Sequence, residues 1–387
     1  MDNTRKMTTF QTHLPISPIP ASRPRRLGES TTGILLLTLT LLAGIFLSAC
    51  SGSDLNPSSW PGLTSDGEAF YVAASSSVIA VDTKKNELWR YPAKADRAKT
   101  FYAEPVVTED GQIIIGDYAQ NMYAIDAAAN GAELWVFDQA KNRFIGSPLV
   151  TEDAIYAPCT DNTLYVLNRK GDLEWTFKTK HSLWARPVIH NNILYLPGMD
   201  HHLYAIDLET RAEKWKLDLG GALVSPFIKD ENGILYGGTL ANKVVAVDSQ
   251  KREIKWQFAT KGNVWASPVL EKGALYFGDS SGTIYAVDAV TGKQKWTVEA
   301  GSPVIASVAV YSEGMIVGSE DGKIHQITFD GGKKTWARVV EGKLYTTPVI
   351  LEDLNMVVFA VTNSKTELLI AFDLSGNEIW TYLPEKK

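Results

Sequence analysis

Tryptophan keeps a period in this chain: Trp89, Trp135, Trp175, Trp215, Trp256, Trp296, Trp336 and Trp380 follow one another at intervals of 46, 40, 40, 41, 40, 40 and 44 residues. A period near 40 is the mark of a repeat architecture, in which each copy is one small unit that buries its apolar face against its neighbours. Around each tryptophan the same order returns: a segment with Pro, a β-rich stretch, a turn with Gly, a strand ending in Asp, a tight turn, and the Trp strand. Residues Ala266 to Trp296 are the clearest copy. Each copy holds four short runs rich in Val, Ile, Tyr and Leu, parted by Gly, Asn or Asp, and no long 3.6-residue period intrudes. Four short antiparallel strands in about 40 residues make the blade of a β-propeller. The expected fold is therefore all-β, an eight-bladed ring of four-stranded antiparallel blades, with copies near 60–91, 101–138, 144–178, 183–218, 222–259, 264–299, 303–340 and 344–383. Whether residues 54–60 join the last blade to close the ring, the pattern leaves open.

An indole on the outermost strand can cover the side of the next blade, burying about 150–250 Å². Losing one costs on the order of 3–5 kcal/mol, so eight of them dominate the seams. Seven to nine residues before most of these tryptophans stand Asp82, Asp126, Asp207, Asp248, Asp288 and Asp373, each where a strand enters a turn. A carboxylate there accepts backbone N–H groups. Repetition of this kind serves a fold, whereas an active site is needed once, so these residues are read as structural docking residues.

The first 49 residues differ in kind. Arg23, Arg25 and Arg26 precede an uncharged apolar run over 33–49, which has the order of an export signal and is short for a permanent span of about 20 residues. Its end, Leu47-Ser48-Ala49-Cys50, followed by Ser51-Gly52-Ser53, resembles the lipobox and tether of bacterial lipoproteins. That resemblance implies a signal peptide over 1–49 that is removed, acylation of Cys50, a flexible tether over 50–59, and a propeller over 60–387 moored outside the cytoplasm. Ser51 after the cysteine resembles the signal for outer-membrane sorting where two membranes exist; with one membrane the protein would sit on its outer face.

Charge excludes one large class. The whole chain carries −6, and without its first 49 residues the balance is −9. No Lys/Arg run interrupts this acidic background, and a nucleic-acid partner needs a concentrated basic face. Cys50 and Cys159 stand in different contexts and form no disulfide framework. His13, His181, His190, His201, His202 and His325 show no ligand spacing, and no phosphate loop, nucleophile elbow or His-Glu-x-x-His occurs.

Ala286-Val-Asp-Ala-Val-Thr-Gly-Lys-Gln-Lys-Trp296 resembles the tryptophan-docking motif of pyrroloquinoline-quinone-type propeller repeats, and the likeness runs over residues 60 to 383. The Gly-His and Trp-Asp pairs of WD40 repeats are missing. Asn168 and Thr328 replace the Asp in two copies, Val308 replaces the Pro in one, and 363–366 lengthen the last, so local irregularity is expected there. Two branches of the family differ in function. Quinoprotein dehydrogenases hold pyrroloquinoline quinone with Ca²⁺ beneath an adjacent-cysteine disulfide, and this chain has no adjacent cysteines. The other branch comprises lipid-anchored, non-catalytic propellers of outer-membrane protein assembly. Size, repeats and lipobox fit that branch, which implies a monomeric, non-enzymatic scaffold for protein partners at the cell envelope, with no cofactor or metal. A quinone-dependent dehydrogenase and an extracytoplasmic ligand sensor stand as alternatives.

Positions that vary between copies are candidates for contact with a partner. Three residues before the strand Pro the copies read Tyr102, Ile145, Trp184, Leu223, Trp265, Ile305 and Tyr345; just before it they read Glu104, Ser147, Arg186, Ser225, Ser267, Ser307 and Thr347. This strand is innermost in propellers, so these residues should approach the central channel. Aromatic and Arg side chains at a rim are common anchors for protein contacts, while aromatics that merely plug a channel are the plainer reading. Tyr102, Glu104, Trp184, Arg186, Trp265 and Tyr345 are the partner-binding candidates.

Overall fold

The computed structural model describes residues 60–94, 96 and 98–385. Cys50, expected to accept the acyl chains, the apolar run over 33–49 and the expected tether over 50–59 lie outside the described residues. Thirty-two strands, β1 (Gly62–Ser65) to β32 (Glu378–Tyr382), form eight four-stranded sheets. Each sheet is one consecutive, antiparallel set: β1–β4 in the first blade, β5–β8 in the second, and so on to β29–β32. Strands of the expected copies fall where the tryptophan period places them, including the copies that carry Asn168, Thr328 and Val308. The lengthened last copy spends its extra residues between β30 (Met356–Ala360) and β31 (Leu369–Phe372).

One row of residues explains why the period shows. In the first blade Thr64, Tyr71, Ala80 and Trp89 lie opposite one another across the four strands. In the sixth, Val269, Tyr276, Ala286 and Trp296 do the same. The alanine on the third strand is small enough for the rings on the second and fourth to meet over it, with Tyr71–Trp89 centroids 5.9 Å apart and Tyr276–Trp296 5.8 Å. Immediately after this row every blade has a register shift between its third and fourth strands, a bulge that turns the outer strand and aims its indole.

The core is spread through the seams. Eight buried clusters each combine residues of two adjacent blades; Leu63, Phe70 and Val81 of the first, for example, pack with Val358, Leu369 and Trp380 of the eighth. Trp89 and Trp380 are the most enclosed indoles, 8% and 7% exposed. Six of the eight donate Nε1–H to a carbonyl of the next blade, from Trp89 to Ala127 at 3.0 Å through Trp336 to Leu374 at 3.0 Å, and finally Trp380 to Thr83 at 3.1 Å. The first blade is complete without a strand from the C-terminus, and the eighth without one from the N-terminus. Closure therefore repeats the ordinary seam.

Candidate functional site

At the strand ends, the docking Asp carboxylates lie in the turns between third and fourth strands. Asp82 Oδ1 accepts from the N–H groups of Lys84 and Asn86 at 2.9 and 2.7 Å. Asp126, Asp207 and Asp248 each accept from the second and third residues on, Asp288 from Thr291, and Asp373 from Asn377. Asn168 takes the same part through its side-chain oxygen, at 2.9 Å from Lys170 N. The same turns carry a feature that the sequence reading did not single out. Under five of the indoles lies a left-handed glycine of the next blade, Gly131, Gly171, Gly292, Gly332 or Gly376, and Arg211, Arg252 and Lys85 are left-handed residues in the corresponding turns of the other three blades. A Cβ on Gly292 would stand 2.6 Å from the Trp256 ring, so glycine lets the indole lie flat on the backbone. Where Arg211 replaces it, the guanidinium sits 5.8 Å from the Trp175 ring centre instead.

Strand pairing assigns the residues at the channel. Val188 lies opposite Tyr195, and four residues earlier stands Trp184. The same count from each inner strand gives Tyr102, Ile145, Trp265, Ile305 and Tyr345 in five other blades. In the fifth blade Ile228 lies opposite Tyr236, which puts Val224, not Leu223, in this ring, and Pro226, not Ser225, in the ring of Glu104 and Arg186. The proline there is shifted by one residue, so aligning copies on Pro misplaces that blade. Leu223 is instead fully buried beside the core residue Leu235. In the first blade Thr64 lies opposite Tyr71, so the eighth member of the ring is Trp60. Leu63 occupies the Pro position there, which hid this copy from a reading keyed to proline.

The eight residues form an apolar collar at one mouth of the channel, five of them aromatic. Trp60 reaches to Tyr345 of the neighbouring blade, centroids 5.1 Å apart, and to Trp265, 6.2 Å away edge-on. Trp60 is 42% exposed, Trp184, Trp265 and Tyr345 are half-buried, and Tyr102 is buried. Tyr345 is held by its hydroxyl, which donates to Glu320 at 2.8 Å and accepts from Lys343 at 3.1 Å. Tyr102 packs edge-on against Tyr118 at 4.7 Å, burial pushes its hydroxyl pKa up to about 12, and Arg143 lies 5.5 Å from the Tyr118 ring centre.

Beyond the collar, hydroxyl-to-carbonyl bonds run from inner strand to inner strand: Ser147 to Glu104 at 2.8 Å, Ser267 to Pro226 at 2.7 Å, Ser307 to Ser267 at 3.0 Å. In this layer Glu104 is the one carboxylate and Arg186 the one cation. Glu104 meets the water of the channel yet is crowded by protein. Burial pushes its carboxyl above the usual carboxylate range, and Arg186 pulls it partly back. At the same end, the turns between second and third strands carry buried or half-buried Asp residues that anchor tyrosines: Asp117 accepts from Tyr123 at 2.9 Å, Asp161 from Tyr165 at 2.6 Å, Asp279 from Tyr285 at 2.9 Å.

The remaining candidates for chemistry have structural surroundings. Cys159 is fully buried, its Sγ lies 3.2 Å from the Asn142 carbonyl, and burial pushes the thiol pKa up to about 12. His201 occupies a turn in left-handed conformation, and His202 Nδ1 lies 2.8 Å from the Asp200 carbonyl. Among the described residues no three His, Cys, Asp or Glu side chains stand together as a metal cage, and none of their helices is long and apolar enough to cross a membrane. A quinone on Ca²⁺ needs several carboxylates around the ion and, in the dehydrogenase branch, adjacent cysteines. A lone Glu104 opposed by Arg186 does not fit that group.

No curated protein sequence matches the chain. Among solved structures, BamB from Moraxella catarrhalis matches with a TM-score of 0.66 at 16% identity, over 79% of this chain and 94% of that one. The computationally designed protein Ika8 matches with a TM-score of 0.69 at 14% identity, over 83% of this chain and 98% of that one. Likenesses so distant in sequence show the fold alone. The family model described as outer membrane protein assembly factor BamB matches residues 74–222 and 199–386, which together span the ring from the end of β2 (Ala69–Ala74) onward. This chain belongs to the BamB family.

Proposed function

We propose that the protein is a lipid-anchored, extracytoplasmic propeller that holds protein partners at the membrane during assembly of outer-membrane proteins, and that it does so by binding rather than by chemistry of its own. The observation that carries this reading is the family match along nearly the whole ring, whose description names outer-membrane protein assembly. The lipobox-like Leu47-Ser48-Ala49-Cys50 supports the anchor. The collar supplies a contact surface of the right kind, since half-exposed Trp and Tyr side chains held in place from behind bury much area at small entropic cost.

The test is cross-linking of the membrane-anchored protein in its host, wild type against a Trp184→Ala, Trp265→Ala double variant. Partners with outer-membrane assembly roles should be captured by the wild type and lost from the variant, with folding intact by circular dichroism. An unchanged partner set would remove the collar from the reading. Turnover of alcohols or sugars with a dye acceptor, on adding pyrroloquinoline quinone and Ca²⁺, would overturn the non-enzymatic part.

A further inference from the structure

Two opposite charges stand inside the ring without meeting. Glu104 and Arg186 occupy one layer of the channel, just before the inner strands of the second and fourth blades, with Ser147 of the third blade between them. No side-chain hydrogen bond or ion pair joins either charge to another of the described residues. Arg186 is near enough to ease the ionisation of Glu104, yet the two form no pair. Glu104 is exposed, so water reaches this layer.

Such an arrangement is costly. A carboxylate crowded by protein gives up hydration, and neither it nor the guanidinium recovers a partner within the ring. Ser147 gives its hydroxyl proton to the Glu104 carbonyl, which ties the strands together and leaves the carboxylate unsatisfied. Uncharged groups fill the same layer at less cost where Ser267 and Ser307 bond from strand to strand. A departure from what the fold repeats, with no gain to the fold, marks a place kept for function.

The mouth above this layer is unevenly closed. Trp60 packs on Tyr345 and reaches Trp265, so rings from the first, eighth and sixth blades cover one side. Over the two charges the collar is Tyr102 and Trp184, which belong to the same two strands and lie about 7 Å higher, the rise of two residues. The signs select the ligand. A lone cation in this layer gains from Glu104 and loses to Arg186, and a lone anion does the reverse. A zwitterion gains from both. An apolar tail long enough to reach the rings of Tyr102 and Trp184 completes the fit.

We propose that the channel beneath the open side of the collar binds a small zwitterion with an apolar tail, such as an amino acid with a large apolar side chain, its ammonium group on Glu104, its carboxylate on Arg186 and its tail between Tyr102 and Trp184. The raised pKa of Glu104 agrees, since a carboxylate short of stabilising partners is one that an ammonium group relieves. The site depends neither on the acyl anchor nor on protein partners at the collar, so the two readings fail separately.

Three probes of one shape and different charge test it. At pH 7 phenylalanine carries both charges, phenethylamine only the ammonium group and 3-phenylpropionate only the carboxylate. Each is titrated calorimetrically into the purified full-length protein. Phenylalanine should bind about tenfold tighter than either analogue, the worth of one hydrogen bond to a charged group. Glu104→Gln should abolish its advantage over 3-phenylpropionate, Arg186→Gln its advantage over phenethylamine, and Trp184→Ala should weaken all three alike, with each fold checked by circular dichroism. Failure of phenylalanine to bind the wild type, or an analogue that binds it as well, would overturn the site. Discrimination that survives both charge variants would place the zwitterion elsewhere and overturn it too.

Discussion

The indole nitrogen of Trp380 donates to the carbonyl of Thr83 at 3.1 Å, across 297 residues of chain, with the geometry that joins Trp336 to Leu374. The last blade thus meets the first as any blade meets its neighbour. Thr346 adds a hydrogen bond to the Pro61 carbonyl, and Tyr382 one to Glu87. Since no strand is exchanged, the ring depends at this point on side-chain packing and these few bonds.

Trp380→Ala is therefore expected to destabilise the ring by about 3–5 kcal/mol, the usual cost of removing a buried large aromatic. Trp380→Phe keeps most of the apolar area and leaves one carbonyl without its donor, for about 1 kcal/mol. Urea unfolding of the soluble ring measures both. A Trp380→Ala loss under about 1 kcal/mol would mean that this indole does not hold the closing seam.

The left-handed glycine beneath five of the indoles makes a second, finer test. Gly292→Ala puts a Cβ 2.6 Å from the Trp256 ring at a φ of +69°, so both the backbone and the indole resist it. The expected cost is about 1–3 kcal/mol. Arg211→Gly goes the other way at the equivalent place: it relieves a left-handed side chain by about 1 kcal/mol and loses a cation–π contact worth about 0.5–1 kcal/mol, so it should be near neutral. Denaturation midpoints of the two variants decide between a steric and a merely compositional role for glycine here.

What was legible in the sequence was whatever the fold repeats. Trp89 and its seven counterparts, the strand-ending Asp residues and the four apolar runs recur because every seam has the same geometry, so blade number and strand order could be counted. The collar obeys a different rule. Its residues share a register position but face the channel, where no neighbour demands one shape, and so Trp60, Ile145 and Val224 carry no common chemical mark. The position of the strand proline aligns six of them, and strand pairing alone places the other two, which is why Trp60 was missed and why Leu223 was set in a ring that belongs to Val224. Ring closure was illegible for a related reason: an ordinary seam at the ends of the chain leaves no extra strand to find.

Asp279 gives the ring a dependence on acid. It is fully buried, and although burial acts to raise its pKa, hydrogen bonds from Ser281, Gly262 N–H, Tyr285 and Thr283 N–H outweigh that and hold it below the ordinary value. A carboxylate whose pKa is lower in the folded than in the unfolded chain stabilises the fold above about pH 4 and ceases to do so as pH falls through its folded value. Asp279→Asn should cost about 1.5–3 kcal/mol at pH 7, as expected for hydrogen bonds to a charged group. The gap from wild type should narrow in acid. Unfolding at pH 7 and pH 3 tests this, and a gap independent of pH would show that the charge is not what matters.

Glu104 carries the opposite sign. Burial in the channel raises its pKa, with Arg186 working against the rise. A carboxyl that is harder to ionise in the fold than in the unfolded chain favours folding fully only below its unfolded pKa of about 4.3, and that contribution is lost as pH climbs through the folded value. Glu104→Gln should then raise stability at pH 7 and leave it nearly unchanged at pH 4. Arg186→Ala should lower stability at pH 7 in wild type, because it removes the charge that eases ionisation of Glu104, and lower it less in the Glu104→Gln background. The double-mutant cycle isolates that coupling across two blades from whatever packing each side chain supplies. Loss of stability in Glu104→Gln at pH 7, or identical effects of Arg186→Ala in both backgrounds, would show that the two channel charges do not act on one another and that Arg186 is held in the collar end for contact with something outside the ring.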